Sequence, residues 1–144
     1  MSRTDGGLRQ VFRQRLPQVH WQSIEVPAIN KGVPDCNGCY KGVDFWVENK
    51  LTHGWTIGLR TEQAAWLTRR ARAGGKARIA VRRVVKAGPR KGAAVDELWI
   101  LDGKYADRSI RVNHLHSSAN SVLGVWTGGP ARWQWTEVLA ALMG

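Results

Sequence analysis

Residues 33–50, VPDCNGCYKGVDFWVENK, are the stretch that decides the fold. The pattern predicts β-strands over residues 33–40 and 43–51, joined by a tight turn at Lys41-Gly42. A turn this short folds the first strand back along the second. The sequence therefore predicts a β-hairpin near the middle of the chain.

The second strand of this hairpin has two different faces. Because successive side chains of a strand point to opposite faces, Glu48 and Lys50 share one face and the apolar residues occupy the other. The turn places Asp35 across from Glu48. We therefore expect two carboxylates and one ammonium group to converge on the polar face.

This convergence suits a metal-dependent reaction on a phosphate. Mg²⁺ prefers hard oxygen ligands and usually keeps several waters, so Asp35, Glu48 and the peptide carbonyl of Asn49 are candidate ligands. Lys50 is a candidate for holding the attacking water or offsetting charge in the transition state. The alternative is an Asp at a turn followed by an ordinary Glu-Lys pair on a solvated face. The spacing, the flanking apolar strand and the basic charge of the chain favour the site.

The rest of the chain has the pattern of a mixed α/β domain, and at 144 residues we expect one domain over 1–144. Residues 108–129 are ambiguous. The expected helices cover 8–16, 61–73 and 133–143, and the other expected strands cover 19–26, 77–85 and 97–101.

The charge of the chain predicts a polyanionic partner. There are 22 Lys and Arg against 11 Asp and Glu, giving a net charge of +11. Residues 69–91 hold ten basic residues and no acidic one, which favours an electrostatic footprint over a solvated face. The candidate contacts to a DNA backbone are Arg69, Arg70, Arg72, Lys76, Arg78, Arg82 and Arg83.

Composition also predicts a cytoplasmic protein. No apolar run approaches the ~20 residues of a membrane span, so we expect no membrane partner. Residues 1–17 have no apolar segment typical of a signal peptide. Two cysteines without a secretion signal favour a reducing compartment.

The motif residues resemble those of a known family. Pro34-Asp35, followed thirteen positions after the aspartate by Glu48-x-Lys50, resembles the signature of the PD-(D/E)xK nuclease superfamily. Residues 59–63, LRTEQ, with the later Gly74-Gly75, are similar to its phage-type and virus-type replication-repair branches. The Asp-to-Glu spacing is also similar to that of archaeal Holliday-junction resolvases. The resemblance covers about residues 5–85, and residues 86–144 form a C-terminal extension without a diagnostic motif.

This resemblance implies a restriction-endonuclease-like fold, with a mixed central β-sheet flanked by helices. It implies a Mg²⁺-dependent endodeoxyribonuclease, with Mn²⁺ as a substitute, in which Gln63 orients the water or contacts a phosphate. The implied substrate is branched DNA, first a Holliday junction, cut by a homodimer in recombination or repair in a bacterial or phage-infected cell. The alternatives are a nickase, a flap or single-strand nuclease, and a non-catalytic basic DNA-binding protein.

Two features of the chain leave questions open. Many members of the superfamily carry an acid on the N-terminal helix, but residues 8–16 have none. Asp5 or Glu25 are the possible replacements, and the number of metals, one or two, depends on them. A zinc site is a less favoured alternative. Its possible ligands are Cys36, Cys39, His114 and His116.

The eight tryptophans also admit more than one role. Trp46 shares the strand face of Glu48, so it either lines the cleft or packs under a helix. Trp126, Trp133 and Trp135 are candidates for a dimer interface or for stacking on unpaired bases.

Overall fold

A computed structural model describes residues 5–24, 32–86, 94–113 and 121–144. Its elements follow a mixed α/β order. The helices are α1 (Leu8–Arg15), α2 (Thr61–Arg72) and α3 (Trp135–Met143). The strands are β1 (His20–Ser23), β2 (Cys36–Tyr40), β3 (Val43–Thr52), β4 (Thr56–Gly58), β5 (Lys76–Lys86), β6 (Ala94–Asp102), β7 (Ser109–Arg111) and β8 (Val122–Trp126).

Six of these strands form one mixed sheet in the order β1-β2-β3-β5-β6-β8. Among the described strands, only β3 and β5 pair in parallel, and α2 lies between them in the chain. The two remaining strands, β4 and β7, form a small antiparallel pair. The predicted fold class, a mixed central sheet flanked by helices, is confirmed.

The β2–β3 hairpin forms as predicted. Cys36 pairs with Val47, and the two-residue turn has positive φ at both Lys41 (49°) and Gly42 (80°). Positive φ at both central positions is the geometry that matches the twist of paired strands. This turn therefore fixes which residues of β2 and β3 lie opposite each other.

The sheet has one apolar core on each face. On one face, Phe45 and Val47 of β3 pack against Leu8 and Phe12 of α1 and against α3. On the other, α2 covers β5 through Leu67, together with the β4–β7 pair. Each helix buries residues at helical spacing, as an amphipathic helix requires.

The main differences from the predicted elements are three strands, β4, β7 and β8. The ambiguous residues 108–129 contain β7 and β8, and β8 forms one edge of the sheet. The short β4 was not predicted, because three residues carry no periodic signal and its partner β7 lies about fifty residues away. Among the described residues, no helix has the length and apolar character needed to cross a membrane.

Candidate active site

Strand β3 brings Glu48 and Lys50 to the sheet face covered by α2. Glu48 is only 3% exposed, and the Lys50 ammonium lies 3.5 Å from its Oε2 atom. Phe45 and Val47 point to the opposite face, into the core with α1 and α3. The period-two alternation of the strand thus separates the charged pair from the apolar core.

Gln63, in the first turn of α2, connects these two side chains to the helix. Its Nε2 donates to Glu48 Oε2 at 3.1 Å, and its Oε1 accepts from Lys50 Nζ at 3.4 Å. The same Oε1 accepts from the backbone N–H of Arg60 at 2.9 Å, so Gln63 satisfies a free N–H at the start of the helix. Gln63 is therefore fixed in place, and it fixes the Glu48 carboxylate and the Lys50 ammonium.

Asp35 immediately precedes β2, and its side chain contacts β3. Its Oδ2 accepts from the backbone N–H of Asn49 at 3.1 Å, and its carbonyl accepts from Ile24 N–H at 2.8 Å. Because the N–H and C=O of one strand residue point to the same edge, the Asn49 carbonyl also faces the Asp35 side of β3. The structure thus places Asp35 and the Asn49 carbonyl on one edge, next to Glu48.

A glycine allows this segment to approach α2. Gly32 has φ of +94°, and a Cβ built there would lie 2.3 Å from the carbonyl oxygen of Glu62. Any side chain at this position would push the segment that leads to Asp35 away from the start of α2. The sequence alone did not reveal this contact, which joins residues far apart in the chain.

Burial makes the two carboxylates unusually basic. It raises the pKa of Glu48 to about 7, and the negative charge of Asp35 adds to the effect. Burial also raises the pKa of Asp35, while the hydrogen bond from Asn49 and the charges of Arg9 and Lys50 oppose the shift. A positive charge placed between the two carboxylates would favour their ionised forms.

The residues present fit a hard divalent cation. Glu48 Oε1 is buried and has no hydrogen-bond partner among the described residues, which leaves one lone-pair site open. Two carboxylates and a peptide carbonyl are the oxygen ligands that Mg²⁺ accepts while keeping several waters. Within the described ranges, no cluster of three or more His, Cys, Asp or Glu side chains is arranged to hold a metal. A metal here would therefore depend on Asp35, Glu48 and the Asn49 carbonyl.

The candidate replacements for the missing helical acid lie as follows. Asp5 accepts from Gly7 N–H at 2.9 Å and lies 3.4 Å from Arg9, and its charge contributes to the raised pKa of Asp35. Glu25 lies outside the described residues. Arg9, which the sequence analysis missed, acts on Asp35 from the first turn of α1. Its position four residues after Asp5 was the available signal.

The cysteines are not placed as a zinc pair. Three positions apart on β2, Cys36 and Cys39 point to opposite faces of the sheet. Cys36 packs in the core beside Asn49, and burial raises its pKa to about 12, whereas zinc binds thiolate. His114 and His116 lie outside the described residues.

The three arginines of β5 are paired with acids, although their own segment contains none. Arg78 lies 3.7 Å from Asp102 and is 5% exposed. The other two pairs are Arg82–Asp96 at 2.7 Å and Arg83–Glu97 at 2.9 Å. The premise that these bases have no acid to pair is wrong, because the acids come from β6, the neighbouring strand. These ion pairs hold the arginines in the fold, and their assignment as DNA contacts stays a prediction.

The other predicted DNA contacts lie nearer the surface. Lys76 donates to the carbonyl of Gly144 at 3.0 Å. Arg69, Arg70 and Arg72 are exposed in the last turns of α2. These three arginines belong to the part of the predicted basic footprint that is accessible among the described residues.

The four tryptophans considered from the sequence pack against other parts of the protein. Trp46 packs against Trp66 of α2, with ring centroids 5.2 Å apart, so it lies under a helix. Trp126 and Trp133 are buried in the core, which contradicts a role in stacking on bases or covering an interface. Trp135 is half-buried against Phe12.

Comparison with known proteins adds a structural likeness. No protein-family model matches the chain, and no curated protein matches it at a significant level. Among solved structures, it is similar to Hjc, a Holliday junction resolvase from the archaeal hyperthermophile Archaeoglobus fulgidus. The match has 13% sequence identity and a TM-score of 0.49, and covers 76% of this chain and 86% of the other.

Proposed function

We propose that this chain is a divalent-metal-dependent endonuclease that hydrolyses phosphodiester bonds in branched DNA, with a four-way junction as its first substrate. This proposal rests mainly on the buried Glu48 carboxylate. One of its oxygens has no hydrogen-bond partner among the described residues, and the carboxylate lies beside Lys50. Mg²⁺, or Mn²⁺ in its place, would polarise the scissile phosphate and lower the pKa of a bound water.

Each residue has a defined part in this proposal. Asp35, Glu48 and the Asn49 carbonyl hold the cation. Lys50 Nζ uses its contacts to Glu48 Oε2 and Gln63 Oε1 to fix its direction. An ammonium has three donors, so a further one is left for the attacking water or a phosphate oxygen. Gln63 is a positioning residue, because its amide is engaged with the other two side chains.

Branched DNA is proposed because the accessible basic side chains suit contacts to phosphate, which favour reading the shape of DNA over its sequence. Exposed arginines such as those of α2 contact the DNA backbone, and such contacts carry no base information by themselves. The resemblance in the motif residues points the same way, and a homodimer would present two sites to two opposed strands. A nickase and a flap or single-strand nuclease are the alternatives within this class.

A non-catalytic DNA-binding protein is the alternative in another class. The net charge of +11 would serve it equally well. The buried Glu48 argues against it, because a carboxylate with an unsatisfied oxygen costs stability and opposes the attraction of phosphates. A protein that only binds DNA gains nothing from that arrangement.

Cleavage assays separate these alternatives. The protein is incubated with a synthetic four-way junction, a flap, a linear duplex and a single strand, in Mg²⁺ or EDTA. We expect Mg²⁺-dependent cutting of the junction, lost in Asp35→Asn with DNA binding retained. Asp44→Asn, which changes an exposed acid on β3, is the matched control and keeps activity. Absence of metal-dependent cutting on all four substrates contradicts the proposal.

A further inference from the structure

Arg70 in the last turn of α2 is held against two tryptophans. Its guanidinium carbon lies 4.7 Å from the ring centroid of Trp66 and 5.4 Å from that of Trp46. The two indoles pack against each other, so they form one aromatic support that spans β3 and α2. A guanidinium stacked on aromatic faces has a preferred position before any ligand arrives.

Gly75 lies against the stem of the same side chain. A Cβ built at Gly75 would lie 2.5 Å from Arg70 Cδ and 2.8 Å from Arg70 Cγ. The backbone N–H of Gly75 also donates to the Arg70 carbonyl at 2.9 Å. A glycine is therefore required at 75 for the arginine stem to lie where it does.

The held guanidinium still has donors available. Stacking uses the faces of the group, while the N–H groups along its edge stay free to form a fork around a phosphate. Arg69, Arg70, Trp66 and Ala73 line a surface groove of about 360 Å³. Among the described residues, neither Arg69 nor Arg70 forms an ion pair with an acid. The groove therefore presents unneutralised positive charge.

The groove lies in line with the candidate active site. Trp46, Glu48 and Lys50 share one face of β3, and Gln63 and Arg70 lie on the same helix, seven residues apart. At 1.5 Å per residue this separation is about 10 Å along the helix. A DNA strand that runs along α2 can therefore reach both the groove and the candidate active site.

We propose that Arg70 is a preformed clamp for a backbone phosphate of the substrate strand, close to the bond that the active site cuts. Trp46, Trp66 and Gly75 position the guanidinium, and Arg69 adds charge to the groove. The choice of DNA as the ligand rests on the proposed function. The clamp itself is recognised by its chemistry, which is that of a phosphodiester.

Binding of a labelled junction in EDTA, followed by fluorescence anisotropy over a series of salt concentrations, tests the clamp. Arg70→Ala is expected to lower the slope of log K against log salt by about 0.9 and to weaken binding about tenfold at 0.1 M salt. Arg15→Ala, which removes an exposed arginine from the last turn of α1, is the control and leaves the slope unchanged. Equal slopes for wild type and Arg70→Ala overturn the proposal.

Two further variants test positioning apart from charge. Gly75→Ala and Arg70→Lys both keep the net charge, and each is expected to weaken binding several-fold because the guanidinium fork is displaced or lost. Binding equal to wild type in both variants, with folding checked by thermal melting, overturns the preformed clamp.

Single neutral methylphosphonates along the strand locate the contact. One position is expected to weaken wild-type binding and to have no effect on Arg70→Ala. A penalty that is the same for both proteins at every position overturns the assignment. Because these measurements are made without metal, they stand whether or not the protein cleaves DNA. Failure of cleavage and failure of the clamp are therefore separate results.

Discussion

Two regions of the same sheet bury charge in opposite ways. Between β5 and β6, the three arginines Arg78, Arg82 and Arg83 each face an acid, and Arg82 holds Asp96 through two nitrogens at 2.9 and 2.7 Å. In the second half of β3, two carboxylates lie close together with Lys50 as their neighbouring ammonium, and the buried Glu48 Oε1 has no hydrogen-bond partner among the described residues. The three arginine–acid pairs are matched charges and stabilise the fold. The carboxylates of Asp35 and Glu48 are unmatched charges, available to bind a cation.

The largest effect should follow from removing the unmatched charge. Glu48→Gln is expected to lower junction cleavage by about a thousandfold or more, because it removes a ligand of the cation that supplies the electrostatic stabilisation. Single-turnover cleavage under saturating protein measures the loss. A variant that keeps more than a tenth of wild-type activity would place the chemistry elsewhere.

The second effect is on the stability of the metal-free protein as pH changes. The folded-state pKa of Glu48, about 7, lies above its ordinary value of 4.5, so the folded protein binds more protons in between. The stabilisation that comes from protonating Glu48 in the folded protein is therefore fully present below about pH 4.5 and is lost as pH rises towards 7. The loss is up to about 3 kcal/mol in the free energy of unfolding.

Urea unfolding in EDTA between pH 5 and 8 measures this effect, with Glu48→Gln as the control. Wild type should lose stability over this range more steeply than the variant. Parallel pH profiles for the two proteins would show that the Glu48 carboxyl is not held in an unfavourable environment.

The third effect is the loss of stability when the ion pair between Arg82 and Asp96 is broken. Arg82→Ala is expected to lower the free energy of unfolding by about 2 kcal/mol, because it removes charged hydrogen bonds to Asp96 and one to the carbonyl of Gly6. The cleavage rate of the folded fraction should stay near that of wild type. A double-mutant cycle with Asp96→Ala isolates the coupling. Zero coupling would contradict the stabilising role of the pair.

The smallest expected effect on cleavage comes from Gln63, which connects Glu48 and Lys50 through hydrogen bonds. Gln63→Ala is expected to lower cleavage about tenfold, since Lys50 and Glu48 lose a shared partner but keep their contact with each other. Gln63→Glu, which keeps an acceptor for Arg60 N–H and loses the donor to Glu48, separates capping from positioning. Wild-type cleavage rates in both variants would show that Gln63 does not position the side chains that act in cleavage.

The sequence predicted the parts of this molecule that depend on local rules. The hairpin turn at Lys41-Gly42 and the alternation along β3 bring Asp35 and Glu48 together, and both can be read within sixteen residues. The helix over 61–73 and the strand over 77–85 were found to within one or two residues, as α2 and β5.

What could not be predicted depends on contacts between distant segments. The pairing of Arg82 with Asp96 requires the register of β5 against β6, and the pairing of β4 with β7 joins residues about fifty apart. The core positions of Trp126 and Trp133 depend on where β8 and α3 pack. No composition rule distinguishes a tryptophan in such a core from one on a surface.

The most direct test of the contrast between matched and unmatched charge is the binding of Mn²⁺, followed by the loss of the free-ion signal in electron paramagnetic resonance. Wild type and Asp96→Asn, which alters an acid of a matched pair, are expected to bind Mn²⁺ alike at pH 8. Asp35→Asn and Glu48→Gln are expected to bind it at least tenfold more weakly. Equal Mn²⁺ affinity in wild type and Glu48→Gln would contradict the account.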